Sequence, residues 1–185
     1  ILTLNAGSSS IKFAIYEQGN GSLDETARGQ VENIGAAASM IIARNGQPKR
    51  VENAIQAADH SAALRLLFDE IRRLVDGRQI AGIGHRITHG GPDYAAPRVL
   101  DAATLDRLAQ FISWAPLHQP YNLAAVDAAA EAFPTATQVG CFDTAFHRGH
   151  DFVSDAYALP IAFYDKGVRR YGFHGLSYQY ILARL

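Results

Sequence analysis

Cysteine is almost missing from this sequence. Cys141 is the only one, which excludes an internal disulfide framework and a multi-cysteine zinc site. Long apolar runs are missing too. No stretch reaches the roughly 18 residues of a membrane-spanning helix, so none is expected. An excess of one charge is also lacking: 17 basic residues stand against 18 acidic ones, which argues against binding nucleic acid or anionic lipid by bulk charge. The opening residues 1–10 have neither a basic region nor a long apolar core, so they do not read as a secretory signal. The expectation is a soluble, cytoplasmic protein with no nucleic-acid or membrane partner.

What remains is ordinary globular material. Apolar residues make up 48% and charged residues 19% of 185 positions, enough to build one domain, or one and part of another. The chain opens on Ile1 inside a strand-like run and closes on an apolar stretch, Tyr180 to Leu185, without a helix stop signal. A piece of a longer protein is expected.

Ile11, Phe13 and Ile15 alternate with Lys12, Ala14 and Tyr16, the period of a half-buried strand with Lys12 on the other face. With the strand-like Ile1–Asn5 and the small residues between, this predicts a β-hairpin over residues 1–17. Gly19-Asn20-Gly21 reads as a turn, followed by a strand reaching Val31. Another strand is expected at 39–44, ended by the turn pair Asn45-Gly46. Then the period changes. Leu64, Leu67, Phe68, Ile71, Leu74 and Val75 form one helical stripe, with Asp59 or Ser61 as cap and Asp76-Gly77 as stop. A strand is predicted over 80–85, helices over 101–111 and 120–133, and a strand over 137–142. Strands first, then alternating helix and strand, suggest an α/β domain with a mixed sheet.

Five short runs carry chemistry. In Asn5–Lys12 (NAGSSSIK) a small-residue turn exposes backbone N–H groups, Ser8, Ser9 and Ser10 add hydroxyls, and Lys12 adds charge. It suits a phosphate; an ordinary polar turn fits as well. In Gly84–Gly91 (GHRITHGG) Arg86 offers a planar fork for carboxylate or phosphate. His85 and His89 are four apart, but the glycines argue against a helical metal pair, and a plain Gly-Gly turn remains an alternative. His118 precedes a helix and falls near its N-terminus, where it serves either as a functional or a packing group. Asp143 ends an apolar strand, where α/β sheets place ligand groups, or it caps the next segment. Cys141, inside that strand, is expected to be buried and inert. In Arg169–Gly175 (RRYGFHG) two glycines bracket Phe173 and His174, an apolar wall and a donor. Taken together, Lys12, Arg86, His118, His174 and Asp143 are an anion-directed set of the kind phosphoryl transfer needs.

These five blocks, in order and type, resemble those of the acetate kinases, the acetokinase branch of the sugar kinase/heat-shock protein/actin superfamily. The resemblance runs from Asn5 to about Tyr180 and is weakest over about residues 18–78. It implies an α/β fold, an actin-like ATPase (ribonuclease H-like) lobe with a mixed β-sheet and flanking helices. Residues 1–148 would form the N-terminal lobe, and 149–185 the start of a second lobe that does not finish. It implies reversible transfer of a phosphoryl group from ATP to acetate, giving acetyl phosphate and ADP, with Mg²⁺ required. Carried over by position, Asn5 would lie at the phosphate and metal site. Ser8, Ser10 and Lys12 would belong to the phosphate hairpin, and Arg86 would bind the carboxylate or transferring phosphoryl. Asp143 would be the essential acid, His174 would stabilise the transferring group, and His118 would lie close by. Thr88, Leu117 and Phe173 would line the methyl pocket. Homodimers are implied for the whole protein, largely through its C-terminal part, which leaves the oligomeric state of this piece open; alone it is expected to be nearly inactive.

Departures from the family pattern are Thr88 for an aliphatic residue, Gln119 for Asn, and Leu176 and Tyr178 after His174. They leave acetate against propionate or butyrate open. A non-catalytic anion-binding module is the rival of another class. A histidine-based metallohydrolase lacks a ligand motif.

Overall fold

The computed structural model describes residues 1–19 and 21–185; Asn20, in the middle of the expected turn, lies outside the described residues. Eight strands make one mixed sheet in the order β5-β4-β3-β2-β1-β6-β8-β7. β1 (Leu2–Ala6) and β2 (Ser10–Gln18) are the expected hairpin, with Leu4 opposite Phe13 and Asn5 opposite Lys12. β3 (Leu23–Glu32), β4 (Ser39–Arg44) and β5 (Arg50–Asn53) continue the antiparallel meander. β6 (Gly82–Ile87) and β8 (Thr137–Phe142) join β1 in parallel. The short β7 (Arg98–Val99) closes the edge antiparallel to β8.

The helices follow from caps and stripes. α1 (His60–Val75) starts where the Asp59 carboxylate accepts the Ala62 N–H at 2.7 Å, and stops where Asp76 turns left-handed at φ 51°. Its buried stripe holds Leu64, Leu67, Phe68, Ile71 and Leu74. Each such side chain contributes about 1.5–3 kcal/mol by leaving water. α2 (Ala102–Ala109) is capped by Asp101, which accepts the Thr104 N–H at 2.8 Å. α3 (Gln119–Ala132) has Pro120 in its first turn and buries Ala125, Val126 and Ala129. Ala128 and Ala132 pack against the same core as α1, and Phe68 meets Phe133, which follows α3, edge to face at 5.5 Å. The main core lies between these helices and one sheet face, formed by Leu2, Leu4, Ile11, Phe13, Ile15 and Ile83. A smaller core under α2 holds Ile87, Leu108, Phe111 and Phe142.

Three expectations need correction. The strand predicted over 80–85 runs over Gly82–Ile87, because Ile80 is still packing the end of α1 rather than pairing. β5 and β7 carry no alternation and were not expected; both are exposed throughout and paired by neighbours alone. Cys141 is only half-buried, because the sheet face that it shares with Lys12 and Arg86 carries no helix layer from α1 or α3. Beyond β8 the chain forms only short helices: α4 (Phe152–Asp155), α5 (Ile161–Asp165) and α6 (Gly175–Leu182).

Candidate active site

Register builds the site. Asn5 and Lys12 are opposite partners on β1 and β2, and Arg86 and Cys141 are partners on β6 and β8. Leu4 pairs with His85, so Asn5 and Arg86 come next in that row. Lys12, Asn5, Arg86 and Cys141 therefore share one face across four adjacent strands. Asp143, two residues beyond Cys141, follows the end of β8.

Arg86 is the hub. Its Nε donates to Asp143 Oδ2 at 3.0 Å and Oδ1 at 3.2 Å, and its Nη2 to Oδ2 at 2.5 Å. Nη1 donates to Asn5 Oδ1 at 3.2 Å, and Nη2 also reaches His174 Nδ1 at 3.3 Å. Four of the five guanidinium N–H groups are thus engaged, a count that follows from the guanidinium inventory. Asp143 is buried, with 2% side-chain exposure, while Arg86 keeps 34%, so the pair has a dry end and a wet end.

His174 arrives from the other side. It precedes α6 with φ 57°, a left-handed conformation unusual for a residue with a Cβ. Gly175 makes this approach possible. Its N–H donates to the Asp143 carbonyl at 2.8 Å, and a Cβ there would lie 2.4 Å from that oxygen. His147 props the same turn by donating Nε2–H to the Phe173 carbonyl at 3.0 Å.

The serine turn stands beside this cluster. Gly7 N–H donates to the Ser10 carbonyl at 2.8 Å; Ser8 and Ser9 are exposed and Ser10 half-buried. His118 is exposed at the N-cap of α3 and makes no capping bond. Leu117 is 71% exposed and Phe173 37%. Thr88 is half-buried, its N–H held by Asn122 Oδ1 at 2.8 Å. Hence the structure gathers Asn5, Arg86, Asp143 and His174 by direct contact, whereas His118 and Leu117 face solvent.

Sequence reading missed the supports. Asn122 donates Nδ2–H to the Ala6 carbonyl at 2.7 Å, tying the hairpin to the end of β6. His60 donates to the Gly7 carbonyl at 2.7 Å and stacks on Tyr121 at 4.2 Å. Gln119 brackets His89, accepting its N–H at 3.1 Å and donating to its carbonyl at 3.0 Å. The signal was available: Gln119, Asn122, Val126 and Ala129 follow helical spacing, so two amides sit on the buried stripe.

His89 is enclosed by Phe111, Trp114, Tyr171 and Phe173, with ring centroids 4.6–5.8 Å away. Burial, then the nearby Arg148 charge, pushes its pKa down to about 4. Its Nδ1 accepts the Gly91 N–H at 2.9 Å, so the neutral ring carries its proton on Nε2. Gly91 has φ 62°, and a Cβ would strike the Phe111 ring at 2.2 Å. His85 instead donates to Gln138 Oε1 at 2.7 Å, and burial lowers its pKa. The two histidines serve separate networks.

The Acetokinase family profile matches residues 1–185. The chain belongs to the acetokinase family. It is 45% identical to the acetate kinase of Methylocella silvestris over its full length, and 46% identical to that of Rhizobium meliloti, covering 48% of each. Among solved structures it resembles Porphyromonas gingivalis acetate kinase, with TM-score 0.84, 34% identity, and coverage of 99% of this chain and 47% of the other. It also resembles a propionate kinase from Francisella tularensis, with TM-score 0.85, 29% identity, and coverage of 97% and 46%. The chain thus spans about half the length of the curated relatives it matches. The fold of this acetokinase-family chain is the expected actin-like ATPase type, a mixed sheet with flanking helices. No described helix is long and apolar enough to cross a membrane.

Proposed function

We propose that this chain is the N-terminal part of a kinase that reversibly transfers the γ-phosphoryl of ATP to acetate, giving acetyl phosphate and ADP. The observation that carries the reading is the hub of Arg86 bound to Asn5, Asp143 and His174. Acetate is ionised at neutral pH, so no strong base is needed. The difficulty is bringing two anions together, and cations answer it.

Arg86 is held in place by the buried Asp143 and has one N–H unengaged. To grip a carboxylate or phosphoryl with two N–H groups it must release His174 or Asn5. Release of His174 is the easier, since its side chain is 73% exposed, and the freed imidazole then faces the same substrate. Ser8, Ser10 and Lys12 supply donors for the nucleotide phosphates. Thr88 and Phe173 border the acyl group, with His118 and Leu117 joining them in the whole enzyme.

The donor set fits Mg²⁺ held through water. Asp143 and Asn5 offer hard oxygens, and Mg²⁺ is commonly bound by one or two carboxylates, waters and substrate phosphates. When bound, the ion neutralises phosphate charge.

The division into a lobe of residues 1–148 and the start of another over 149–185 belongs to the same reading. Its support is the contrast between the sheet, whose last strand in the chain is β8, and the short helices of four to eight residues that follow it. The propionate kinase likeness favours one further reading, a preference for a longer acyl chain. Comparing kcat/KM for acetate, propionate and butyrate decides it, since one methylene is worth about 1–3 kcal/mol.

The test is acetyl phosphate formation from ATP and acetate by the whole protein. Arg86→Ala and Asp143→Ala should each abolish it, and unchanged turnover overturns the proposal in favour of an anion-binding module. The 185-residue chain alone should be nearly inactive; a normal rate from it sinks the two-lobe reading.

A further inference from the structure

A second arginine cluster lies in the segment after the sheet, built from residues that the catalytic reading does not use. Arg148 and Arg169 converge on one oxygen, Asp155 Oδ2, at 3.0 and 4.0 Å. Arg148 and Asp155 are 8% and 5% exposed at their side chains. The Arg169 side chain is 19% exposed, so two guanidiniums against one carboxylate leave one partly buried positive charge in excess. The nearby acid Asp93 is already paired with Arg107 at 2.7 Å.

Three buried donors here have no hydrogen-bond partner among the described residues: Arg148 Nη1, Arg169 Nε and the Tyr171 hydroxyl. Aromatic faces fix their orientation. The Arg148 guanidinium lies over Tyr171 at 5.3 Å, and that of Arg169 over Tyr164 at 4.4 Å. The Arg170 N–H donates to the Asp155 carbonyl at 2.7 Å, pinning the two chain segments together. An unmet buried donor costs about 1–3 kcal/mol, and more when charged. Three of them around one surplus positive charge match one small anion with several acceptor oxygens.

We propose that Arg148, Arg169 and Tyr171 form a binding site for a single oxyanion, a phosphate or a carboxylate, distinct from the Arg86 site. Asp155 of α4 and Tyr164 of α5 pack against the two arginines, while Tyr171 rests against His89 and Trp114.

The test uses the whole protein at constant ionic strength, titrated separately with inorganic phosphate and sodium acetate. Melting temperature and the ¹⁵N–H resonance of Arg169 Nε are followed. A saturable rise in melting temperature with movement of that resonance is expected. Response to phosphate alone assigns a phosphate site, and response to acetate alone a carboxylate site. Binding should persist in Arg86→Met, weaken about tenfold in Tyr171→Phe, which removes one hydroxyl, and vanish in Arg148→Gln. If neither probe gives a saturable response, or if Tyr171→Phe binds as tightly as the parent, the proposal is overturned. Tyr171→Phe keeps the ring and its packing, so the result stands even if Arg148→Gln fails to fold.

Discussion

Each side of residue 148 carries an arginine–aspartate pair, and the two are built differently. Arg86 lies on β6 and Asp143 directly follows the neighbouring parallel strand β8, with both carboxylate oxygens bonded and the arginine reaching three partners. Arg148 and Asp155 join a one-turn 3₁₀ segment (Ala145–Gly149) to α4, with donors left over and no sheet beneath. The first pair is positioned by register and the second by aromatic rings. Strand register is set by many hydrogen bonds at once and resists local change. A short helix without a buried stripe has no such enforcement. The first arrangement can hold a charge at a fixed place while substrates change, which is what transition-state stabilisation needs.

The contrast can be broken at several points. The largest expected effect is on turnover. Arg86→Ala in the whole enzyme should lower kcat by about 10³-fold or more, the scale for an arginine serving a transferring phosphoryl. A melting temperature close to the parent would show that the loss is chemical. Core substitutions come next. Ile71→Ala, in the fully buried stripe of α1, should cost about 2–5 kcal/mol in denaturant unfolding, whereas Ile161→Ala, 58% exposed in α5, should fall within about 0.5 kcal/mol. Equal costs would mean that the late segment is as tightly packed as the sheet.

A pH effect follows from His89. Its folded pKa, about 4, lies below its unfolded value of 6.5. Above pH 6.5 both states are neutral and nothing changes. Between those values the unfolded state takes up the proton first, so stability falls as pH drops through that window, by on the order of 2 kcal/mol after allowance for solvent screening. His89→Phe should flatten that part of the profile, measured by chemical denaturation from pH 7 to 4. The smallest expected effect concerns the caps. Asp59→Ala should cost about 1 kcal/mol through α1, while Asp151→Ala, which caps the single turn of α4, should barely move global unfolding.

Much of this was legible in the chain. The hairpin of residues 1–17, the stripe of α1 with its Asp59 cap, and β8 all follow from period and punctuation, because each makes its own local pattern. β5 and β7 were not legible, since they pair only because β4 and β8 present open edges. In the site, the motif residues Asn5, Arg86, Asp143 and His174 were each visible as polar groups at strand ends or in glycine-rich turns. Asn122, Gln119 and His60 were hidden because a buried amide or imidazole looks like any surface polar residue until its partner is known. Cys141 misled for a related reason: alternation says which side of a strand a residue takes, not whether that side is covered.

The sequence by itself determined the elements, the anion-directed character of the five motifs and the resemblance to a family. Those rest on local periodicity and residue chemistry, which need no partner. Only the tertiary structure decided that Asn5, Arg86, Asp143 and His174 meet at one guanidinium, that His118 and Leu117 face solvent in this chain, and that Arg148 and Arg169 share one carboxylate. Contacts between residues 81 or 88 positions apart, as Arg86 makes with Asn5 and His174, come from strand order and register. No local pattern encodes either.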